Sequence, residues 1–147
     1  MREILFRGKN YEGEWVYGYY GVFGNSYTPD THQIYVPFTE DEKKQNEGHI
    51  FSTIGGVWNI VLPETVGQYT GLTDKNGTKI FEGGVVAGAV HWLERMKNGV
   101  VAFKDGSFGL IWYRGEVEQF NPFTSMCNVE YEVIGNIHDN PELIGGE

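Results

Sequence analysis

Cysteine is almost absent from the chain, which has only Cys127. A single thiol excludes an internal disulfide framework and is typical of proteins in a reducing compartment. Long apolar runs are also lacking, and none approaches the roughly 20 residues of a membrane-spanning helix. The first ten residues, MREILFRGKN, carry charges where a signal peptide needs an apolar run. We therefore expect a cytoplasmic protein that makes no membrane contact.

Basic residues are scarce as well. The chain has 11 Lys and Arg against 20 Asp and Glu, which gives a formal net charge of −9. Such a chain repels phosphate backbones, so nucleic-acid binding by overall charge is disfavoured. The charge favours a protein partner that carries a basic patch.

Strand and turn signals, in contrast, are abundant. Short aromatic and β-branched runs predict an opening hairpin between residues 3–7 and 14–23. The run IYVPF predicts a short strand, and Pro37 favours an edge position for it, because proline lacks a ladder donor. The length of 147 residues allows one domain or two small ones. We predict two packed β subdomains, 1–62 and 63–147.

The stretch VGQYTGLTDKNGTKIFEGGVV is typical of hairpin architecture. Pairs of Asn-Gly or Asp-Gly between alternating apolar residues favour two-residue turns, and a type I′ turn needs positive φ at both positions. Three such pairs are present: Asn76-Gly77, Asn98-Gly99 and Asp105-Gly106. They predict a meander of four or five strands from Tyr69 to Tyr113 that closes into a small barrel or a sandwich.

Two segments are predicted to be non-strand. Residues 39–48, in TEDEKKQNEGH, have no apolar residue at helical spacing, which predicts a solvated loop or a short exposed helix. The ending HDNPELI predicts a short helical turn. Asn140 is placed as its cap and Pro141 at the first helical position, where proline is favoured.

No catalytic, cofactor or metal motif is complete. The glycines lack the Gly-Lys-Ser/Thr ending of a phosphate loop, and DKNG lacks the ligand spacing of a calcium loop. The two pairs of glutamates fit strands with an acidic outer face, although a glycosidase also uses paired carboxylates. These residues are Glu116, Glu118, Glu130 and Glu132, and the scattered histidines are His32, His49, His91 and His138. We predict no enzyme activity, no cofactor and no metal.

Aromatic residues make up 15% of the chain and have two alternative interpretations. Stacked on one face beside Lys and Arg, they would bind single-stranded nucleic acid; packed together, they would form a core or an oligomer interface. The stacking candidates are Tyr17, Tyr19, Tyr20, Trp58, Trp92, Trp112 and Tyr113. The candidate interaction surface consists of Trp92, Arg95, Lys97, Lys104, Trp112 and Tyr113.

Four stretches spread over nearly the whole chain resemble the YopX family of small phage and prophage proteins. They are REILFRG followed by WVYG, the block VLPETVGQYTGLTDKNGTKIFEGGVV, GVVAFKDGSFGL and YEVIGNIHDNPELI. The sequence departs from the family pattern at two places. Gly84 stands where the family usually has aspartate, and Gly8 and Lys9 stand where it often has tryptophan.

The resemblance implies an all-β protein whose C-terminal part is an SH3-like barrel, in the cytoplasm of a bacterial host. It brings no established activity and no catalytic residues. The leading hypothesis is therefore a non-enzymatic protein-binding or assembly module that forms a homo-oligomer and binds a host or phage protein. A nucleic-acid-binding accessory protein is the alternative, and an enzyme of unrecognised type is the third.

Overall fold

A computed structural model describes residues 3–48, 55–88, 98–125 and 131–144. The structure is mostly β, as predicted, and contains one short α-helix in these ranges. The chain divides into two compact units, Glu3–Gln68 and Tyr69–Glu147. The division thus lies between residues 68 and 69, whereas the sequence analysis places it between 62 and 63.

The first unit is an antiparallel sheet with the strand order β4-β3-β2-β1-β5. Its strands are β1 (Phe6–Lys9), β2 (Trp15–Asn25), β3 (Thr28–Pro37), β4 (Gly56–Ile60) and the start of β5 (Gly67–Thr73). The strands β1 and β2 pair with Phe6 opposite Gly18 and Lys9 opposite Trp15, so the opening hairpin is confirmed. A 3₁₀ turn over Pro63–Thr65 precedes β5.

The strand that contains Pro37 is not an edge strand. The strand β3 pairs with β2 on one side and with β4 on the other. Pro37 is its last residue and lies opposite Gly56. Phe38 N–H donates to Gly55 O, so the preceding pair Pro37–Gly56 is a non-hydrogen-bonded pair of the ladder. The pairing of β3 with β2 ends at Tyr35, so a proline at position 37 removes no ladder bond on either side.

The core of the first unit lies on one face of this sheet, where Ile34 and Val61 are almost completely buried. Gly8 of β1 lies under both side chains, because a Cβ there would stand 3.2 Å from each of them. After β3 the chain forms the helix α1 (Glu40–Gln45), which has no buried residue. Of the two alternatives predicted for residues 39–48, a solvated loop or a short exposed helix, the structure shows the helix, over Glu40–Gln45.

The second unit contains two groups of strands. The later part of β5 pairs with β6 (Lys79–Phe81), with Tyr69 opposite Phe81. A separate antiparallel sheet has the order β10-β9-β8-β7-β11. Its strands are β7 (Gly84–Ala87), β8 (Gly99–Lys104), β9 (Ser107–Arg114), β10 (Val117–Pro122) and β11 (Glu132–Asn136).

A simple meander and a closed barrel do not describe the second unit. The strand β7 follows β6 in the chain but pairs with β8 and β11. Within the described ranges the five-stranded sheet ends at β10 and β11, so no ladder closes it. The SH3-like barrel is therefore not confirmed; two antiparallel sheets are.

The three predicted turns differ from one another. Asp105 and Gly106 have φ of 51° and 84° and join Lys104 to Ser107, as a type I′ turn requires. At the first pair only Gly77 has positive φ, so the loop is a type I turn closed by a left-handed glycine. Gly99 is no turn residue, because it begins β8 opposite Val86.

The core of the second unit lies on the five-stranded sheet and at β6. It consists of Ile80, Val86, Val101, Leu110 and Trp112, and Phe123, Tyr131 and Val133 pack against it. Gly84, at the position where the resemblance expects aspartate, is buried at the start of β7. Further 3₁₀ turns span Phe123–Ser125 and Pro141–Leu143.

The C-terminal turn forms as predicted, with Pro141 at its first position. Asn140 precedes it, but its side chain makes no capping hydrogen bond to the turn. Its Oδ1 instead accepts a hydrogen bond of 3.3 Å from the backbone N–H of Asn136. Asn140 therefore occupies the predicted N-cap position, but its side chain holds the end of β11 and does not cap the turn.

Candidate functional site

The candidate interaction surface predicted from the sequence lies only partly in the described part of the chain, which contains Lys104, Trp112 and Tyr113. Trp92, Arg95 and Lys97 lie outside the described residues. Trp112 is only 9% exposed, and its indole N–H donates to Asn121 Oδ1 at 2.6 Å. Trp112 therefore belongs to the core and not to a surface.

The two other members of that set lie on neighbouring strands at the exterior, where both meet the same carboxylate. Lys104 Nζ lies 3.3 Å from Glu118 Oε2, and the Tyr113 hydroxyl donates to Glu118 Oε1 at 3.3 Å. Glu118 balances the lysine charge, so this region offers no basic patch for a phosphate.

A different aromatic surface crosses the sheet of the first unit. Tyr19 of β2 is opposite Tyr35 of β3, and Tyr35 is opposite Trp58 of β4. Residues directly opposite one another share a face of the sheet. The ring centroids are 6.5 Å apart for the two tyrosines and 5.1 Å apart for Tyr35 and Trp58. The three rings thus form a row across three strands.

Phe23 extends this row. Its ring meets Trp58 edge-to-face with centroids 4.8 Å apart, a favoured aromatic geometry. Gly21 makes this possible, because a Cβ at that position would lie 2.8 Å from the Phe23 ring. We name the set of Tyr19, Phe23, Tyr35 and Trp58 the aromatic row.

The aromatic row is accessible to solvent although its rings touch. Tyr19 is 55% exposed, Phe23 46% and Trp58 42%. Soluble proteins commonly expose single apolar side chains, whereas contiguous exposed patches mark interaction sites. Ile60, which follows Trp58 on the same face of β4, is also exposed and widens the patch.

Two cations of β1, Arg7 and Lys9, lie against Trp15 of β2. The Arg7 guanidinium is 4.7 Å from the ring centroid of Trp15, and Lys9 Nζ is 5.6 Å from it. Arg7 is opposite Tyr17, which lies two residues before Tyr19 on β2. This alternation puts the cations and the aromatic row on one face of the sheet.

Sequence reasoning found part of this surface. Tyr17, Tyr19 and Trp58 were among the stacking candidates, while Phe23 and Tyr35 were not. The usable signal was the alternation in WVYGYYGVF, where every second residue except Gly21 is aromatic. The strand pairing that brings Tyr35 between Tyr19 and Trp58 joins residues far apart in the sequence, and no local pattern predicts it.

An open apolar groove in the same unit lies beside α1. Its volume is about 490 Å³, and its lining consists of Trp15, Val16, Tyr17, Val36, Pro37, Phe38, Glu42, Val57 and Asn59. The one carboxylate in the lining, Glu42, accepts a hydrogen bond of 2.7 Å from the Thr39 backbone N–H as part of the helix cap. The groove therefore contains no pair of carboxylates.

Other titratable contacts have structural explanations. The Tyr20 hydroxyl forms a short hydrogen bond with His32 Nδ1, and burial raises the pKa of Tyr20. Within the described ranges, no three side chains of His, Cys, Asp or Glu are placed to hold a metal ion. His49, His91 and Cys127 lie outside those ranges. No helix of the described residues is both long and apolar enough to cross a membrane.

Asp74 is the most constrained acid of the described residues. Its burial opposes ionisation, but hydrogen bonds from the backbone N–H groups of Val133, Thr78 and Asn76 outweigh this effect. Together with the ammonium group of Lys75 they lower the pKa of Asp74 below its ordinary value. All three donors are backbone groups of the fold, which indicates a structural role.

The solved structures that this chain resembles include that of protein EF1440 from Enterococcus faecalis. The two chains are 23% identical, with a TM-score of 0.52 over 98% of this chain and 99% of that chain. This similarity shows a shared fold alone. The comparison with curated proteins gives no match. The YopX protein family matches residues 5–145, nearly the whole length. The chain therefore belongs to the YopX protein family.

Proposed function

We propose that this chain is a non-enzymatic protein-binding module of the bacterial cytoplasm that captures its partner on the aromatic row. The single observation that carries the proposal is the contiguous exposure of Tyr19, Phe23 and Trp58 around Tyr35. Tyrosine and tryptophan are the residues most enriched at the energetic centres of protein interfaces.

The row suits a protein partner because it is preorganised. Its rings contact one another and lie on three hydrogen-bonded strands of the sheet, so little side-chain freedom remains to be lost on binding. Rings that bury roughly 150–250 Å² each supply much of the core of a standard interface. The tyrosine hydroxyls supply polar contacts at its border.

The resemblance to small phage and prophage proteins supports a proposal about the origin of the partner. We propose a phage or prophage setting, with a protein of the phage or of its host as the target. The row supplies area and hydroxyl groups but no nucleophile beside a base, which supports binding rather than catalysis as its use.

A photo-crosslinking amino acid at position 19 tests this proposal in lysate from infected host cells. The same label at Tyr27, which is 96% exposed on a turn away from the row, is the control. We expect a discrete crosslinked protein from position 19 that disappears when Trp58→Ser is added. Equal products from both positions, or products insensitive to Trp58→Ser, would contradict the proposal.

Single-stranded nucleic acid is the second candidate, because Arg7 and Lys9 lie beside the aromatic residues. Stacking on aromatic rings next to a basic track is how many proteins bind single strands. Two cations neutralise about two phosphates, so the slope of log affinity against log salt would be roughly −1.4. Micromolar binding of an oligonucleotide with that slope, lost in Arg7→Glu with Lys9→Glu, would replace the protein partner as the leading function.

A further inference from the structure

The outer edge of β4 is a second surface of the first unit. The strand β4 is the last strand of its sheet, and no strand of the described residues pairs with its outer side. Exposed edge strands present unpaired N–H and C=O groups and act as templates for another chain.

The hydrogen bonds that flank β4 identify those groups. Val61 N–H donates to His32 O at 2.9 Å, and Phe38 N–H donates to Gly55 O at 2.8 Å. Hydrogen-bonded and non-hydrogen-bonded pairs alternate along an antiparallel ladder. Residues 55, 57, 59 and 61 therefore direct their backbone groups at β3. The N–H and C=O groups of Gly56, Trp58 and Ile60 point outward from the sheet.

The composition of this edge is unusual. Natural edge strands carry charges or proline that prevent pairing. The edge strand β10 of the second unit has both, in Glu118 and Pro122. The sequence of β4, GVWNI, has neither, and its side chains Val57, Trp58 and Ile60 are exposed. The strand β4 thus has neither a charge nor a proline that would keep another strand from pairing with it.

We propose that two copies of this chain associate through β4, antiparallel and with Trp58 opposite its counterpart in the second copy. This dimer extends the proposed function, because one partner of the chain is then a second copy. The contact lies at the edge of β4 and not on the face that carries the aromatic row. The resulting sheet is continuous across the dimer, and the aromatic rows of the two copies meet at the two-fold axis.

The strand is self-complementary in this register. Gly56 lies opposite Ile60 of the second copy on the face of the aromatic row, which puts the smallest residue beside a branched one. Val57 lies opposite Asn59 of the second copy on the other face. No charge is opposed to a like charge, because the five residues of β4 carry none. A second copy satisfies the outward groups of all three residues at once.

Association of this size is weak. Two five-residue edges and their side chains fall in the class of small interfaces, below about 1,200 Å². We expect a dissociation constant in the micromolar range or above. The net charge of −9 per copy opposes association, so the dimer is expected to strengthen between about 0.05 M and 0.5 M salt.

Sedimentation equilibrium from roughly 10 µM to 1 mM tests the dimer. Ile60→Lys adds a charge to the edge, and Ile60→Pro removes an outward N–H that makes no hydrogen bond to β3. We expect each to raise the dissociation constant at least about 10-fold without lowering the melting temperature of the protein. Val117→Lys, on the edge strand β10, is the matched control and leaves dimerisation unchanged.

Disulfide trapping tests the register. In a Cys127→Ser background, Val57→Cys and Asn59→Cys are oxidised separately and as a mixture. The proposed register places positions 57 and 59 of the two copies directly opposite, within the reach of a disulfide, while like positions are about 7–8 Å apart. We expect several-fold more crosslinked dimer in the mixture than in either variant alone.

Two results would overturn the inference. One is a strict monomer at 1 mM wild-type chain; the other is dimerisation that Ile60→Lys and Ile60→Pro leave intact. Equal disulfide yields in all three samples would reject the register. None of these results contradicts partner binding by the aromatic row. The crosslinking test at position 19 probes the face of the sheet that carries the row, whereas these experiments probe the edge of β4.

Discussion

The carboxylate of Asp74 accepts a hydrogen bond of 2.9 Å from the backbone N–H of Val133, 59 residues further along the chain. The other carboxylate oxygen accepts from the N–H groups of Asn76 and Thr78 at 2.8 and 2.9 Å. One buried side chain thus closes the β5–β6 hairpin and fastens it to β11. This explains why an aspartate precedes the Asn-Gly pair in the stretch TDKNG.

Replacing Asp74 by asparagine should destabilise the second unit by about 2 kcal/mol, because buried donors then lose acceptors. The amide retains one oxygen for Asn76 and Thr78, but its nitrogen faces the N–H of Val133. Urea denaturation of wild type and variant at pH 7 measures the difference. A loss below about 0.5 kcal/mol would show that the contact to β11 contributes little.

The same acid makes stability depend on pH. The pKa of Asp74 is lowered in the folded chain, so its contribution is present above the unfolded pKa and is lost as pH falls through the folded pKa. The stability gap between wild type and Asp74→Asn should therefore shrink as pH falls from about 4 towards 2. A gap that stays constant over this range would assign the effect to packing instead of charge.

The two turns make a matched pair of tests. Asp105 has φ of 51°, whereas Asn76 lies outside the positive-φ region. A left-handed conformation costs most side chains roughly 1 kcal/mol, so Asp105→Ala should be destabilising while Asn76→Ala should change stability by less than about 0.5 kcal/mol. Gly77→Val and Gly106→Val should both cost about 1–2 kcal/mol or more, since both glycines have positive φ.

Thermal melts of these four variants compare the turns directly. Equal losses for Asp105→Ala and Asn76→Ala would contradict the assignment of a type I′ turn to one site and a type I turn to the other.

Local patterns in the sequence predicted where strands, turns and the helix occur better than they predicted which strands pair. Strands, the exposed helix and the Asp105-Gly106 turn depend on residues close in sequence, where alternation and turn chemistry apply. The position of β7 beside β11 depends on residues about 50 apart, for which no local signal exists. The barrel was predicted by joining successive hairpins, and the chain breaks that order after β6.

Side-chain environment was predictable only where strand pairing was known. Trp112 and Tyr113 are neighbours in the sequence and lie on opposite sides of β9, so one is in the core and the other at the surface. Aromatic content alone could not predict which of the two is buried. The aromatic row was partly predictable from β2, because that strand is long and has an aromatic residue at every second position from Trp15 to Phe23 except Gly21.

The helix α1 should be an early site of limited proteolysis. It has no buried residue and is held by its cap, in which Thr39 and Glu42 exchange hydrogen bonds. Trypsin is expected to cleave first after Lys43 or Lys44, since local opening there costs few contacts. Mass spectrometry of the first products identifies the site. Initial cleavage after Lys75 in the β5–β6 hairpin would contradict this order of stability.

Trp112 should contribute to folding and not to partner capture. Its ring packs with Leu110 and Val101 in the core, and its N–H is bonded to Asn121. Trp112→Ala should cost about 3–5 kcal/mol through the cavity it leaves. Trp112→Phe keeps most of the packing and should cost about 1–2 kcal/mol, since the side-chain oxygen of Asn121 loses its donor. Tyr113→Ala, at the neighbouring exposed position, should be nearly neutral.

Urea denaturation measures the free energy of unfolding of all three variants. If Trp112→Phe lowered crosslinking from position 19 while stability was unchanged, Trp112 would belong to the binding surface after all.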